Sequence, residues 1–246
     1  MLNTDEYINS SLVRRQPIGE PMRSQLRYYP SNRWYDRRMR ETETSNVARY
    51  QRIAPFYDLL DLPFEYGRYR KIRPQLFAGL SGLILDAGVG TGRNFPFYPS
   101  GAKIVGIDFS SAMLARAARR RPSAGAEIEL RQMDVTRIDL PDRHFDAAVA
   151  TFLFCVLPDE LQVAALRELG RVTKPGGVIR LLEYSRPQGA LRYAMTKLWE
   201  PWVHWAYGAG FDRRTEQHIP EAGLRLVQSR FVVDDLIKVL EARGAE

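Results

Sequence analysis

The stretch LILDAGVGTGRN, Leu83 to Asn94, ends an apolar run in one acid and then places glycine at every second position, Gly88, Gly90 and Gly92, before an arginine and an asparagine. Glycines let the chain turn tightly at a strand end and admit a ligand to the backbone. Two ligand types use such a turn. A dinucleotide wants G-x-G-x-x-G, with its pyrophosphate on a helix N-terminus. Here Arg93 occupies the place of the third glycine, Gly92 comes one residue early, and Asp86 stands in front, where its charge would repel a pyrophosphate. Spacing and sign point elsewhere.

A ligand with a cationic centre and an amino-acid end reverses the sign argument. S-Adenosylmethionine (SAM) carries a sulfonium and an ammonium, to which a carboxylate at Asp86 offers Coulomb attraction and a charge-assisted hydrogen bond. The next apolar run ends in GID, and Asp108 falls roughly 20 residues after the glycines, where an acid can accept from both ribose hydroxyls. Phe109 and Met113 follow and are apolar enough to line an adenine face. The third run ends in MDV, where Asp134 can accept from the adenine amino group while the Val135 backbone N–H donates to a ring nitrogen. The alternative for each acid, Asp134 above all, is a helix or turn cap.

Working outward, strand-like runs alternate with helical ones. GLILDAG, AKIVGIDFS, IELRQMDV, FDAAVATFLF and GVIRLLEYS are short, apolar and bounded by Gly, Pro or acids. SAMLARAARRR and PDELQVAALRELGRVTKPG repeat apolar residues at helical spacing. The alternation predicts an α/β fold, a parallel sheet with helices on both faces, whose ligand binds beyond the carboxyl ends of the strands. Residues 1–45 are polar and arginine-rich, with Pro17, Pro21 and Pro30 spaced against a long helix, and read as a flexible or loosely docked basic leader. From residue 46, Val47, Tyr50, Ile53 and Ala54 suggest a helical cap that Pro55 interrupts. The main domain is therefore placed at 46–246.

At 246 residues and 45% hydrophobic content the chain can bury one sizeable core. Lys and Arg total 36 against 29 for Asp and Glu, a net +7 that favours anionic surroundings. With no long block of like charge, no attached RNA-binding module and no NPPY-like segment for a flipped adenine, nucleic acid is not expected as a partner. No zinc-like Cys/His spacing occurs, so no metal is expected either. Cys155, the single cysteine, sits in ATFLFCVLP and reads as core, compatible with a reducing compartment. The first 20 residues lack a signal peptide's apolar segment and nowhere do 18 apolar residues run together. A cytoplasmic protein, or one peripheral at a membrane, is expected.

DAGVGTG resembles the first motif of class I SAM-dependent methyltransferases, GIDFSSAML their ribose segment, and RVTKPGG with GVIRLLEYS their late turn and fifth strand. The resemblance covers about residues 46 to 243. It implies their Rossmann-like, doubly wound sheet of about seven strands, here with an N-terminal helical cap and a helical insertion before the last strands. Within the class, ARYQRIAPFYDLL with GIDFSSAML is similar to the ubiquinone/menaquinone C-methyltransferases and the bacterial phosphatidylethanolamine N-methyltransferases. TGRNFPFYPSG, TFLFCVLPD and WEPWVHWAYGAGFDRRTEQHIPEAG are also similar to membrane-associated thiol methyltransferases. Carried over residue by residue, the resemblance puts Asp86, Ala87, Gly88, Gly90 and Asn94 at the methionine end. Asp108 falls on ribose, Phe109 and Met113 around adenine, and Asp134 and Val135 at its edge. Thr151 and Phe152 come beside the methyl group, and Tyr57 over the cofactor.

Methyl transfer from a sulfonium is an in-line displacement with an activated leaving group, so positioning and desolvation suffice for much of the rate. An amine acceptor must be neutral to attack; a phenol, thiol or acidic carbon wants a base. His204, in the insertion expected to cover the site, is the candidate base beside Tyr57; His144 reads as a residue of the exposed turn before the fourth strand, and His218 is assigned no role. Tyr193, Trp199, Trp202 and Trp205 follow helical spacing, and their default reading is core packing; the alternatives are a wall of an apolar acceptor pocket or a surface that dips into lipid. Arg68, Arg70, Lys71 and Arg73 read as a solvated face, or as a holder of an anionic headgroup. The expected function is methylation of a hydrophobic or lipid-like small molecule, phosphatidylethanolamine first and a quinone precursor or thiol next, with an anionic membrane surface as candidate partner. A non-catalytic SAM-binding module is the alternative from another class.

Overall fold

The computed structural model describes residues 26–29, 65–120, 125–207, 209–210 and 213–244. The helical cap's Val47 to Pro55, and Tyr57, lie outside them. Eight strands form one sheet: β1 (Leu26–Tyr29), β2 (Leu83–Ala87), β3 (Lys103–Asp108), β4 (Glu127–Gln132), β5 (Phe145–Thr151), β6 (Thr173–Tyr184), β7 (Leu224–Val233) and β8 (Ile237–Gly244). Their order is β1-β4-β3-β2-β5-β6-β8-β7. The longer helices are α1 (Ser111–Ala117), α2 (Asp159–Val172), α3 (Ala190–Tyr207) and α4 (Thr215–Glu221). Short helical turns at Glu65–Tyr69, Arg70–Ile72 and Pro74–Phe77 precede β2. Each strand and helix expected from the alternation is present, and α3 and α4 form the insertion before the last strands.

Two features depart from the sequence reading. The leader contributes β1, which pairs in parallel with β4 from Leu26↔Ile128 to Tyr29↔Arg131 and adds an eighth strand. The sheet is also mixed, because β8 runs antiparallel to both β6 and β7. The physical reason is the connection: only Asp234, Asp235 and Leu236 separate β7 from β8, and a parallel pair needs a crossover of a dozen or more residues.

The period of two along the strands decides which face each site residue takes. Leu85 and Ala87 join a core cluster with Ala165, Leu166, Leu169 and Val172 of α2, whereas Ile84 joins one with Leu76, Phe77, Leu114 and Ala117. Asp86 therefore sits on the Ile84 face, under the helical turns that precede β2. By the same alternation Asp108 shares a face with Ile104, and Thr151 with Ala147 and Val149. Asp86, Asp108 and Thr151 thus end three neighbouring strands on one face of the sheet, at the point where strand order reverses between β2 and β5. In register, Asp86 lies opposite Gly106, where a Cβ would stand 2.9 Å from Leu130 Cδ2 and 3.1 Å from Val89 Cγ2. The missing side chain lets the glycine turn fold down over the sheet.

Leu166 is fully buried between α2 and the sheet. Leu166→Ala should lower the stability to urea by about 2 to 5 kcal/mol, the usual range for a core leucine, read as a shift of the unfolding midpoint.

Candidate active site

The turn after β2 closes because Gly88, Gly90 and Gly92 all take left-handed backbone angles, with φ of +72°, +55° and +79°. That conformation explains the alternate-position pattern, since other residues enter it at a cost. Space adds a second reason at Gly88, where a Cβ would meet Leu153 Cδ1 at 2.9 Å. The N–H groups of Gly88 and Val89 both donate to Ile107 O at 2.9 Å, tying the turn to β3. Arg120, just beyond α1, donates from Nε to Thr91 O at 2.7 Å and holds the far side.

Asp86 is fully buried beneath this turn. Its Oδ2 accepts from Asn94 Nδ2 at 2.9 Å and from the Tyr98 hydroxyl at 2.5 Å. Asn94 also donates to Thr151 Oγ1 at 3.1 Å and accepts at Oδ1 from Arg73 Nη1 at 2.8 Å. Burial pushes the Asp86 carboxyl up to about 6, against the lowering influence of Tyr98, Asn94 and the Arg73 charge. The same burial, with Asp86 beside it, drives the Tyr98 phenol well above its ordinary value, so it stays a neutral donor. Asp86 Oδ1 is buried with no hydrogen-bond partner among the described residues. An orphaned carboxylate oxygen under a backbone turn fits a ligand that brings a cation or a donor to it.

Asp108 faces the cavity beside the glycine turn and is also buried. Gly90 N donates to its Oδ2 at 2.9 Å and Ser110 N to its Oδ1 at 2.8 Å, which fixes the carboxylate plane. Burial raises this carboxyl to about 6; the two N–H donors oppose that and the Asp86 charge adds to it. Ser110 in turn caps α1 by accepting from Met113 N at 3.3 Å. The cavity is lined by Arg73, Gly88 to Thr91, Arg93, Asn94, Asp108, Phe109, Met113, and Thr151 to Leu153 with Val156. Phe109, Met113 and Val156 pack together as an apolar slot beside Asp108, suited to an adenine ring.

Most of the residues expected from the sequence come together here, in modified roles. Asp86 and Ala87 are not among the lining residues; Asp86 lies behind Asn94 and acts through it and through its field, and Ala87 belongs to the core. Asp134 and Val135 do not line the cavity either. Asp134 Oδ1 accepts from the backbone N–H and the hydroxyl of Thr136, both at 2.8 Å, which is the turn-capping alternative, and Val135 is buried in the core. The side chains of Tyr57 and His204 lie outside the described residues. Trp199 and Trp202 are 58% and 37% exposed, which overturns core packing as their reading: the helix that carries them does not turn that face to the sheet. Of the basic run, Arg68, Arg70 and Lys71 are exposed, but Arg73 is 5% exposed and lines the cavity.

The sequence reading missed two supports. Phe152 takes a left-handed φ of +53° at the end of β5 and lies between Tyr69 and Tyr184, with ring centroids 4.8 Å and 5.0 Å away. The two tyrosine hydroxyls hydrogen-bond to each other across it. Glu183, buried near the end of β6, accepts from three successive backbone N–H groups: Leu153 at 2.9 Å, Phe154 at 2.8 Å and Cys155 at 3.0 Å. The carboxylate satisfies a turn that has no strand partner, and burial pushes its own ionisation up to about 7 against those donors. A lone acid inside the apolar run RLLEYS was the available signal. Cys155 is buried and its thiol is pushed well up, first by burial and then by Glu183, in keeping with a core role.

Comparison with known proteins agrees with this geometry. Residues 84–177 match the family described as a methyltransferase domain. The chain is similar to a phosphatidylethanolamine N-methyltransferase of Cereibacter sphaeroides, 42% identical over 45% of this chain and 55% of that protein. It is also similar to a ubiquinone/menaquinone biosynthesis C-methyltransferase of Syntrophotalea carbinolica, 37% identical over 58% of this chain and 62% of that one. The chain thus spans somewhat over half the length of these relatives. A solved structure from Thermotoga maritima, a SAM-dependent methyltransferase described as a possible histamine N-methyltransferase, shares the fold at a TM-score of 0.60 and 18% identity, over 81% of this chain and 99% of that one.

The two raised acids give the site a pH dependence. Both are increasingly protonated below about pH 6, and a protonated acid neither attracts an ammonium nor accepts from ribose hydroxyls as a carboxylate does. Affinity for S-adenosylhomocysteine should be level from pH 8 to 7 and fall below 6 by up to roughly tenfold per pH unit for each proton displaced; calorimetry showing a flat or rising affinity would contradict this. Asp108→Ala should weaken binding about 10- to 100-fold, the loss of hydrogen bonds to a charged group, with thermal melting confirming that the variant folds. Glycine turn, buried acids and fold agree with the comparisons: residues 84–177 match a methyltransferase domain, and the chain shares the fold of a SAM-dependent methyltransferase.

Proposed function

We propose that the chain transfers a methyl group from SAM to a hydrophobic or lipid-like small molecule, with the amine of phosphatidylethanolamine as the first candidate. When bound, SAM supplies a methyl group on a sulfonium, a leaving group that needs no further activation. Asp108 would hold the ribose, Phe109, Met113 and Val156 the adenine, and the Gly88–Asn94 turn with Asp86 behind it the methionine end. Thr151 and Phe152 would face the transferring methyl. Phe152 and its flanking tyrosines exclude water there, which favours an uncharged acceptor nucleophile.

The observation that carries the acceptor class is α3. It follows β6 and so leaves the sheet at the edge where the strands' carboxyl ends form the site. Along it Leu191, Met195, Leu198, Trp199 and Trp202 recur at intervals of four, three, one and three residues, and their exposures run from 37% to 79%. That spacing makes one apolar stripe on one side of a helix. Trp199 and Trp202 meet edge to face at 6.3 Å. A stripe of Leu, Met and Trp on the helix that follows β6 suits an acceptor delivered from an apolar phase. Together with the net charge of +7, it supports work at an anionic, cytoplasmic membrane surface. No helix among the described residues is long and apolar enough to cross a membrane. The relative that methylates phosphatidylethanolamine supports the amine; the relatives named for quinone synthesis favour a quinone precursor as the second reading.

Incubation of the protein with methyl-labelled SAM and vesicles containing phosphatidylethanolamine should label that lipid. Label in a demethylated quinone or a thiol instead would move the assignment to that acceptor. Tight binding of SAM with no transfer to any of the three would leave a binding module. Tyr57→Phe and His204→Ala test the two proposed catalytic side chains, each expected to lower kcat roughly 100-fold if it moves a proton.

A further inference from the structure

Phe152, which lines the cavity at the end of β5, holds a backbone conformation that its own side chain disfavours: φ is +53°, a region that bulky residues seldom enter. Such a conformation persists only where its surroundings fix it on both sides. On one side Phe152 N donates to Leu182 O at 2.8 Å. On the other the fixing falls to one carboxylate. Glu183, 2% exposed, accepts at Oε1 from Leu153 N at 2.9 Å and Phe154 N at 2.8 Å, and at Oε2 from Cys155 N at 3.0 Å. Ionised, it offers acceptors at both oxygens and charge-assisted bonds to all three donors. A protonated carboxyl carries a donor hydrogen on one oxygen, which sets donor against donor in the same enclosed space.

We infer that Glu183 is a positioning residue whose ionised form holds Phe152 in the left-handed state, and that uptake of one proton there relaxes the turn and slows methyl transfer. The inference rests on the methyl-transfer reading above and adds its regulation. Relaxation to a negative φ would draw the Phe152 ring from between Tyr69 and Tyr184 and shift Leu153, which also lines the cavity. Burial brings the balance close to neutrality, pushing Glu183 from an ordinary 4.5 up to about 7 against the three N–H donors. Stability and activity then respond to pH with opposite signs. The folded protein binds this proton more tightly than the unfolded chain does, so the group adds stability as pH falls from about 7 towards 4.5. A mere prop would lose stability and activity together. Elements packed around Glu183 bring other charged or titratable groups. Arg213 Nε donates to Cys155 O at 3.3 Å, and Lys238, opposite Glu183 in register on β8, is held by Glu216 of α4 at 2.6 Å. The Cys155 thiol is pushed well up by burial and stays neutral. His218 of α4 lies 3.2 Å from Asp159 of α2 and 3.0 Å from Glu221; burial discourages its charging, the two carboxylates outweigh that, and it is raised from 6.5.

Amide hydrogen exchange followed by NMR reports on the turn without any acceptor. In the wild-type protein, corrected for intrinsic exchange, the Leu153, Phe154 and Cys155 amides should be about tenfold less protected at pH 6 than at pH 8, with the β2 amides unchanged. The thermal midpoint should not fall with them. Glu183→Gln, which cannot ionise, should show the weaker protection at both pH values. With saturating SAM and phosphatidylethanolamine vesicles, the ratio of wild-type to Glu183→Gln kcat cancels the acceptor amine's own titration. That ratio should fall from at least about tenfold at pH 8 towards one at pH 6. Glu183→Asp should keep the pH dependence at smaller amplitude, and His218→Gln should leave it in place. Equal protection of the three amides at pH 6 and 8, or full protection in Glu183→Gln, would overturn the inference. So would a kcat ratio that does not change with pH, or a pH dependence that His218→Gln removes. Should Glu183→Gln fail to fold, the wild-type exchange alone still decides. Absence of transfer at every pH would reject the proposed acceptor, a separate outcome, and the amides would still judge the turn.

Discussion

A carboxylate with no exposure to water, Asp86, lies directly under a turn of three left-handed glycines, and the rest of the site is organised by the need to stabilise that charge. Tyr98 and Asn94 donate to one oxygen, Arg73 contributes its field, and the second oxygen stays without a protein partner. The cost of leaving it so is the free energy that a ligand's cation can recover on binding. Because the neighbouring Asp108 is also buried and also raised, the site holds two acids whose ionisation burial opposes.

The opposite wall depends on a different acid. β5 ends in Phe152 with a left-handed backbone, and the turn that follows would leave three N–H groups unsatisfied in the interior. Glu183 of the adjacent strand takes all three. Leu153, in that turn, packs where a side chain on Gly88 would have to go, so the two walls are fitted to each other. Beyond it, Gln162 of α2 donates to Phe154 O at 2.9 Å and accepts from Thr215 Oγ1 at 2.9 Å, which ties the turn to α4 of the insertion. The turn after β5 is thus joined to α4 through hydrogen bonds.

The cavity is built on strand ends, and the insertion differs from those strands in what it buries. Strands β2, β3 and β5 are covered on both faces, whereas α3 presents five large apolar residues to solvent.

Strand alternation, glycine spacing and the placing of Asp86 and Asp108 at strand ends were legible from residue order, because they follow from backbone geometry repeating over a few residues. So was the choice of a cationic nucleoside over a dinucleotide, which needed only the sign of one charge and the position of Arg93. Arg73 looked like its exposed neighbours Arg70 and Lys71, and Glu183 like an incidental acid in an apolar strand. Their roles arise from partners 21 residues away at Asn94 and about 30 away at Leu153 to Cys155. The antiparallel β8, the added strand β1 and the outward face of Trp199 belong to the same class. Each depends on which surfaces meet once the chain has collapsed, and hydrophobic burial, being non-directional, leaves that choice to the packing of the whole rather than to any local run of residues.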